Sequence, residues 1–185
     1  MIAVDTSVVV AGFASWHEGH RAAVAALGRR PRLPAHAGLE SFSVLTRLPP
    51  PHRVRPDLVA EFLRARFDEP LLLLPASAHL RLIDEATEAG IVGGAVYDAL
   101  VGASVRHAGA TLLTRDHRAV RVYELLGVSF ELVNRPAAAR ERKAGCTQAV
   151  AARSSSSPTP SSRARHARHA HLRARSRARA PVAVV

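Results

Sequence analysis

Three short runs in this chain offer water almost nothing: Met1–Val4, closed by Asp5, then Leu71–Leu74, then Thr111–Thr114. A strand without a polar face must be covered on both sides, which points to a parallel sheet rather than an open antiparallel one. Segments of helical spacing separate the runs. Strands alternating with helices imply an α/β fold, a parallel sheet with helices on both faces.

The helices are marked by their ends. Thr6-Ser7 can cap a helix running from Val8 to about Phe13. A second is expected from about His17 to Leu27, with Ala22, Ala23, Ala26 and Leu27 as its apolar stripe and Gly28 at its end. Arg32–Pro34 reads as a short strand. A third helix spans about His36 to Leu48, with Leu39, Phe42, Leu45 and Leu48 facing the core, and Pro49–Pro51 stop it. Pro56 suits the first position of a fourth, ending at Phe67. Ser77–Glu88, Val96–Arg106 and His117–Leu126 are also expected to be helical, with Gly90, Gly93 and Gly94 as a loop and Ser129–Val133 as the closing strand.

Charge divides the chain in two. Residues 1–134 carry 14 Lys+Arg and 14 Asp+Glu, whereas the last 51 carry 12 Lys+Arg against the single acid Glu141. The whole +11 excess therefore lies in 135–185, and the domain itself is neutral. All eight aromatic residues precede that segment, which has only Val150, Leu172, Val182, Val184 and Val185 as large apolar residues. That cannot offset an ordering cost of about 1–2 kcal/mol per residue. A compact domain over 1–134 and a disordered basic tail over 135–185 are expected. The Arg/Ala/His repeats of Arg163–Arg179 could hold nucleic acid by phosphate attraction, or the tail could be inert. The lone Cys146 excludes an internal disulfide and a cysteine-based zinc site. No apolar run approaches the length of a membrane span, and the opening residues lack an export signal, so a cytoplasmic protein is expected.

In open parallel sheets the ligand crevice lies beyond the carboxyl ends of the strands. Asp5 ends the first strand, Asp116 follows Thr111–Thr114 by two residues, Asp98 stands in the first turn of the helix after the glycines, and Glu40 stands early in the third helix. Each has a structural alternative. Asp5 and Asp116 could be helix caps, and Asp98 could complement a helix dipole. Glu40 has no basic neighbour along the sequence to pair with. Carboxylates converging on one crevice repel one another, and burial penalises their charge further. A hard divalent cation, Mg²⁺ or Mn²⁺, relieves both costs and suits phosphate chemistry.

The segments Val4-Asp5-Thr6-Ser7-Val8, Glu40–Arg47, Tyr97-Asp98-Ala99-Leu100 and Ala110–Asp116, in this order and spacing, resemble the four motifs of the PIN-domain family. They cover about 1–134, and the chain looks most like the VapC-type toxins of bacterial toxin–antitoxin pairs. The resemblance implies a three-layer α/β/α sandwich with a parallel central sheet. It also implies a metal-dependent ribonuclease in which Asp5, Glu40, Asp98 and Asp116 are the active-site acids. Asp5, Asp98 and Asp116 would hold the metal, Glu40 would be a ligand or would orient the attacking water, and the hydroxyls of Thr6 and Thr114 would support the site. Mg²⁺, an RNA substrate of the tRNA or rRNA class, a cognate antitoxin protein and a homodimer are likewise implied. Many members carry a further acid shortly after the position of Asp116; this chain has Arg118 there.

Other residues weigh less. His17 and His20 share a helix face without further metal ligands, and Trp16 is expected to pack over the sheet edge rather than stack on a base. Ser7 has no triad partners. The neutral domain would need a local basic patch for RNA, for which Arg47, Arg53 and Arg55 are candidates. The competing reading is a PIN-fold module that binds RNA or protein without catalysis.

Overall fold

The computed structural model describes residues 1–133, and the basic tail expected over 135–185 lies outside them. Strands β1 (Ile2–Val4), β2 (Thr111–Thr114) and β3 (Phe130–Leu132) form a parallel sheet in the order β1–β2–β3. The register sets Val4 beside Leu113 and Thr114 beside Leu132. Seven α-helices accompany the sheet among the described residues: α1 (Thr6–Phe13), α2 (His20–Gly28), α3 (Ala35–Arg47), α4 (Pro56–Arg66), α5 (His79–Glu88), α6 (Ala95–His107) and α7 (Val120–Leu125). A short 3₁₀ turn, Ala76–Ala78, leads into α5. The architecture is the parallel α/β sandwich expected from the apolar runs.

Ala3, Val4, Leu112 and Leu113 are buried, as strands covered on both faces must be, and α1 and α6 both pack on β2. Full burial of each Val or Leu stabilises the fold by about 1.5–3 kcal/mol. Gly102 brings α6 close to its neighbours: a Cβ there would stand 2.9 Å from Val128 Cγ2 and 3.1 Å from Tyr123 Cδ1. At the N-terminal end of α6 the chain turns through Gly93 in the left-handed region, φ 59°. The glycines thus fix where Asp98 emerges. Pro56 opens α4 and Pro49–Pro51 follow α3, as their fixed φ and missing N–H require.

Four expectations change. Arg32–Pro34 and Leu71–Leu74 are not full strands; each contributes only an isolated parallel bridge, Ala3 to Arg32 and Pro34 to Leu72. Pro31, Pro34 and Pro70 have no N–H to give a longer ladder. Nor is Leu71–Leu74 buried throughout: Leu72 is buried, but Leu71 and Leu73 face outward at this sheet edge, Leu73 at 67% exposure. On α3 the inward face is Ala37, Gly38, Ser41 and Leu45, while Leu39 is 73% exposed and Phe42 also reaches solvent. Small residues let α3 approach α1 and α6; Leu45 fits inward, while Leu39 and Phe42 turn away. Finally, α2 and α7 each begin three residues later than expected, because Ala14–Gly19 and Asp116–Arg118 are tied up in turns. Among the described residues no helix is long and apolar enough to cross a membrane.

Candidate active site

The carboxyl ends of β1 and β2 meet at Asp5 and Thr114. Asp5 is buried and caps α1: its Oδ1 accepts the Val8 N–H at 3.1 Å and the Ser7 hydroxyl at 2.6 Å. Its Oδ2 accepts the Thr114 hydroxyl. Thr114 Oγ1 in turn accepts the Asp116 N–H at 3.0 Å, and Ser7 Oγ accepts the Arg115 N–H at 2.7 Å. One carboxylate and two hydroxyls therefore stitch the end of β1, the start of α1 and the turn after β2. Burial pushes the Asp5 carboxyl above its usual range, and the hydrogen bonds from Ser7, Thr114 and Val8 pull it back only in part. The cap reading of Asp5 is thus correct, and it coexists with a place in the cleft.

Asp116 is the other acid on this side. Its Oδ1 accepts the Arg118 backbone N–H at 2.9 Å and Nε–H at 3.1 Å, and its Oδ2 accepts Arg118 Nη2–H at 3.0 Å. These bonds, the side-chain one foremost, hold the Asp116 carboxyl below its usual range despite partial burial. The Arg118 side chain is almost wholly in solvent, where an ion pair is weak, so the clamp yields to a competing cation.

The helices contribute Glu40 and Asp98. Glu40 lies on α3, exposed, and accepts the Thr6 hydroxyl at 2.6 Å; this is the partner that sequence position did not reveal. Asp98, in the first turn of α6, is half-buried and does not cap it, because Gly94 occupies the cap position. Its carboxyl is pushed up to about 6, by burial first and then by the charges of Glu40, Asp116 and Asp5, with Arg118 offsetting them.

The four acids line one open cleft of about 420 Å³, together with Thr6, Ser7, His17, Glu18, Arg115 and Arg118. The ring of Tyr123, from α7, also lines it. Burial, followed by the charges of the four acids, holds that hydroxyl protonated above the usual tyrosine range. Thr114 stands behind Asp5 rather than at the surface of the cleft. The four acids offer hard oxygen donors, which suit Mg²⁺ or Mn²⁺ better than zinc. A divalent cation would relieve the repulsion that raises Asp98. The fit lies in donor type: among the described residues no three Asp, Glu, His or Cys side chains already close around a point. Asp116 would have to exchange Arg118 for the ion.

Sequence reasoning missed Ser7 as the second stitch on Asp5. The signal was its place two residues after a capping acid, where a hydroxyl can reach back. His17 lines the cleft but its Nδ1 accepts the Gly19 N–H at 2.9 Å, while His20 Nδ1 pairs with the Ala11 carbonyl at 2.9 Å, so the two do not form a metal pair. Trp16 does not cover the sheet edge: it is half-exposed, with its ring 4.1 Å from that of His52. Of the proposed basic patch, Arg53 is bonded to the Leu48 carbonyl and Arg55 to Asp57, and Arg47, Arg53 and Arg55 all lie outside the cleft.

The PIN domain family matches residues 2–125. Ribonuclease VapC40 of Mycobacterium tuberculosis, from strains CDC 1551 / Oshkosh and ATCC 25618 / H37Rv, is 56% identical over 133 residues, which is 72% of this chain and 99% of that protein. Ribonuclease VapC27 of Mycobacterium tuberculosis (strain ATCC 25618 / H37Rv) is 44% identical over 129 residues, 69% of this chain and 93% of that protein.

Proposed function

The chain belongs to the PIN domain family as a VapC-type nuclease, and on that premise we propose that it is a Mg²⁺-dependent endoribonuclease, the toxin of a type II toxin–antitoxin pair. The observation that carries this reading is the convergence of Asp5, Glu40, Asp98 and Asp116, from four separate segments, on one cleft. Asp5, Asp98 and Asp116 would hold the ion, with Mn²⁺ able to replace Mg²⁺. A divalent cation there supplies charge for the phosphate oxygens and a lowered pKa for water. Glu40, free of the sheet and fixed by Thr6, is a further ligand or orients the water that attacks phosphorus. In hydrolysis the water oxygen bonds to phosphorus, the P–O bond to the leaving nucleoside breaks, and that oxygen takes up a proton. Thr114 and Ser7 keep Asp5 in place while this happens.

The partners that follow are an RNA of the tRNA or rRNA class, a cognate antitoxin protein and a second copy of the chain, in the cytoplasm. The test is cleavage of total cellular RNA by the full chain, freed of inhibitor by unfolding and refolding. Discrete fragments are expected with Mg²⁺ or Mn²⁺, and none with EDTA or in Asp98→Asn. Absence of cleavage by refolded protein with either ion, across RNA pools that include tRNA and rRNA, would support the non-catalytic binding module instead. The Arg118 clamp on Asp116 is the observation that favours that second reading.

A further inference from the structure

The cleft has little free positive charge with which to grip RNA. Arg115 Nη1 donates to the Val133 carbonyl at 2.7 Å, and Arg118 lies against Asp116, from which a bound cation would release it. The acids Asp5, Glu18, Glu40, Asp98 and Asp116 outnumber those two arginines along its walls. Contacts that need no charge then add to the grip on a polyanion.

Such a contact stands beside the acids. His36 on α3 and Tyr97 on α6 are stacked, with ring centroids 5.1 Å apart and planes within 10° of parallel. Residues four apart on a helix share a face. His36 is therefore one turn before Glu40, and Tyr97 one turn before Val101, both of which line the cleft. Tyr97 also immediately precedes Asp98. The pair thus bridges α3 and α6 next to the two acids that the protein leaves least engaged. Tyr97 is 58% exposed although its ring is large and apolar, and His36 backs it.

We infer that His36 and Tyr97 form a stacking platform that takes one unpaired RNA base next to the scissile phosphate. The inference rests on the ribonuclease reading for its ligand. Stacking on an aromatic face is open to every base and needs no charge, which suits a cleft whose walls carry more acids than arginines. A duplex keeps its bases stacked on one another and has none to offer.

The test uses the full chain carrying Asp98→Asn, which holds RNA without cutting it. The probe is a single-stranded RNA hexamer with 2-aminopurine at one position in turn, alone or annealed to its complement. One position is expected to lose fluorescence on binding, and the annealed form to bind more weakly. Adding Tyr97→Ala should raise Kd about tenfold, the size of one base–aromatic stack, and abolish the quench, while Tyr97→Phe restores both. His36→Ala, which removes only the backing ring, should cost less. Melting temperature checks that each variant is folded. Equal affinity and equal quench in Tyr97→Ala, failure of Tyr97→Phe to rescue, failure of the single strand to bind, or a duplex bound as tightly as the single strand would overturn the inference. Loss of the ribonuclease reading shows separately, as absent cleavage by the wild-type chain with metal while the Tyr97-dependent quench persists.

Discussion

Asp5 and Asp116, at the strand ends, spend their oxygens on the protein itself, whereas Asp98 and Glu40, on α6 and α3, are left almost free. The first pair accepts hydrogen bonds from Ser7, Thr114, Val8 and Arg118. The second pair receives one, from Thr6. The consequences for charge are opposite at the two partly buried members: Asp116 is held low by Arg118, while Asp98 is raised to about 6 by burial and like charges. The difference teaches that one cleft can join acids kept for structure and site alike to acids whose charge the fold only tolerates. Substitution should separate the two.

The largest effect is expected on the strand side. Asp5→Ala removes the α1 cap, worth about 1 kcal/mol, and leaves the buried Thr114 hydroxyl without its acceptor, at about 1–3 kcal/mol, and the partly buried Ser7 hydroxyl likewise at less. Relief of a buried charge offsets part of this. A net loss of about 2–4 kcal/mol lowers Tm by about 10 °C in a domain of this size. Thermal unfolding of the metal-free protein measures it. A drop under about 2 °C would mean that the stitch is not structural, and the contrast between the two sides would collapse.

That stitch also marks where sequence stops being informative. The acids could be read because the strand ends were legible: an apolar run followed by Asp needs no tertiary knowledge to place at a sheet edge. The partners could not. Thr6 reaches Glu40 across 34 residues and Thr114 reaches Asp5 across 109, and these distances close only when the sheet and α3 are assembled. The same limit explains Leu39 and Phe42. Helical spacing put them on one stripe, but α3 crosses its neighbours so closely that only Ala37, Gly38, Ser41 and Leu45 fit inward. At Leu71–Leu74, hydrophobicity was taken as burial on both faces, whereas the segment is an edge and Leu73 points to water.

A smaller effect of opposite sign is expected on the helix side. Asp98 has a folded-state pKa of about 6 against an ordinary 3.8. Below 3.8 the group is protonated in both states and the folded protein bears no cost. As pH rises from 3.8 through about 6 the unfolded chain ionises first, so stability falls, and above 6 the full cost is present. Asp98→Asn removes that cost. At about 1.4 kcal/mol per pH unit the gain is at most about 3 kcal/mol, cut to about 1 because the group is half in water. In EDTA the variant should therefore melt a few degrees above wild type at pH 7.5 and level with it near pH 4. A variant less stable than wild type at pH 7.5 would place Asp98 with the structural acids and remove the contrast.

The smallest effect is expected from deleting 135–185, the segment outside the described residues. The last bonds that hold β3 to the site come from Val133, whose N–H donates to the Thr114 carbonyl at 2.8 Å and whose carbonyl accepts from Arg115. Both survive in a chain ending at residue 134. The removed piece carries five large apolar residues in 51, too few to contribute a core. Tm should move by no more than about 2 °C, and the Asp5→Ala and Asp98→Asn shifts should reappear unchanged in the shortened chain. RNA affinity is a separate readout, because the deletion removes the whole +11 charge excess: if those cations touch phosphate, the dependence of Kd on salt flattens while Tm stays. A fall of more than about 5 °C would show instead that the basic segment packs on the domain. The strand side would then owe part of its rigidity to residues beyond Val133, and the contrast with α3 and α6 would have to be drawn again on the full chain.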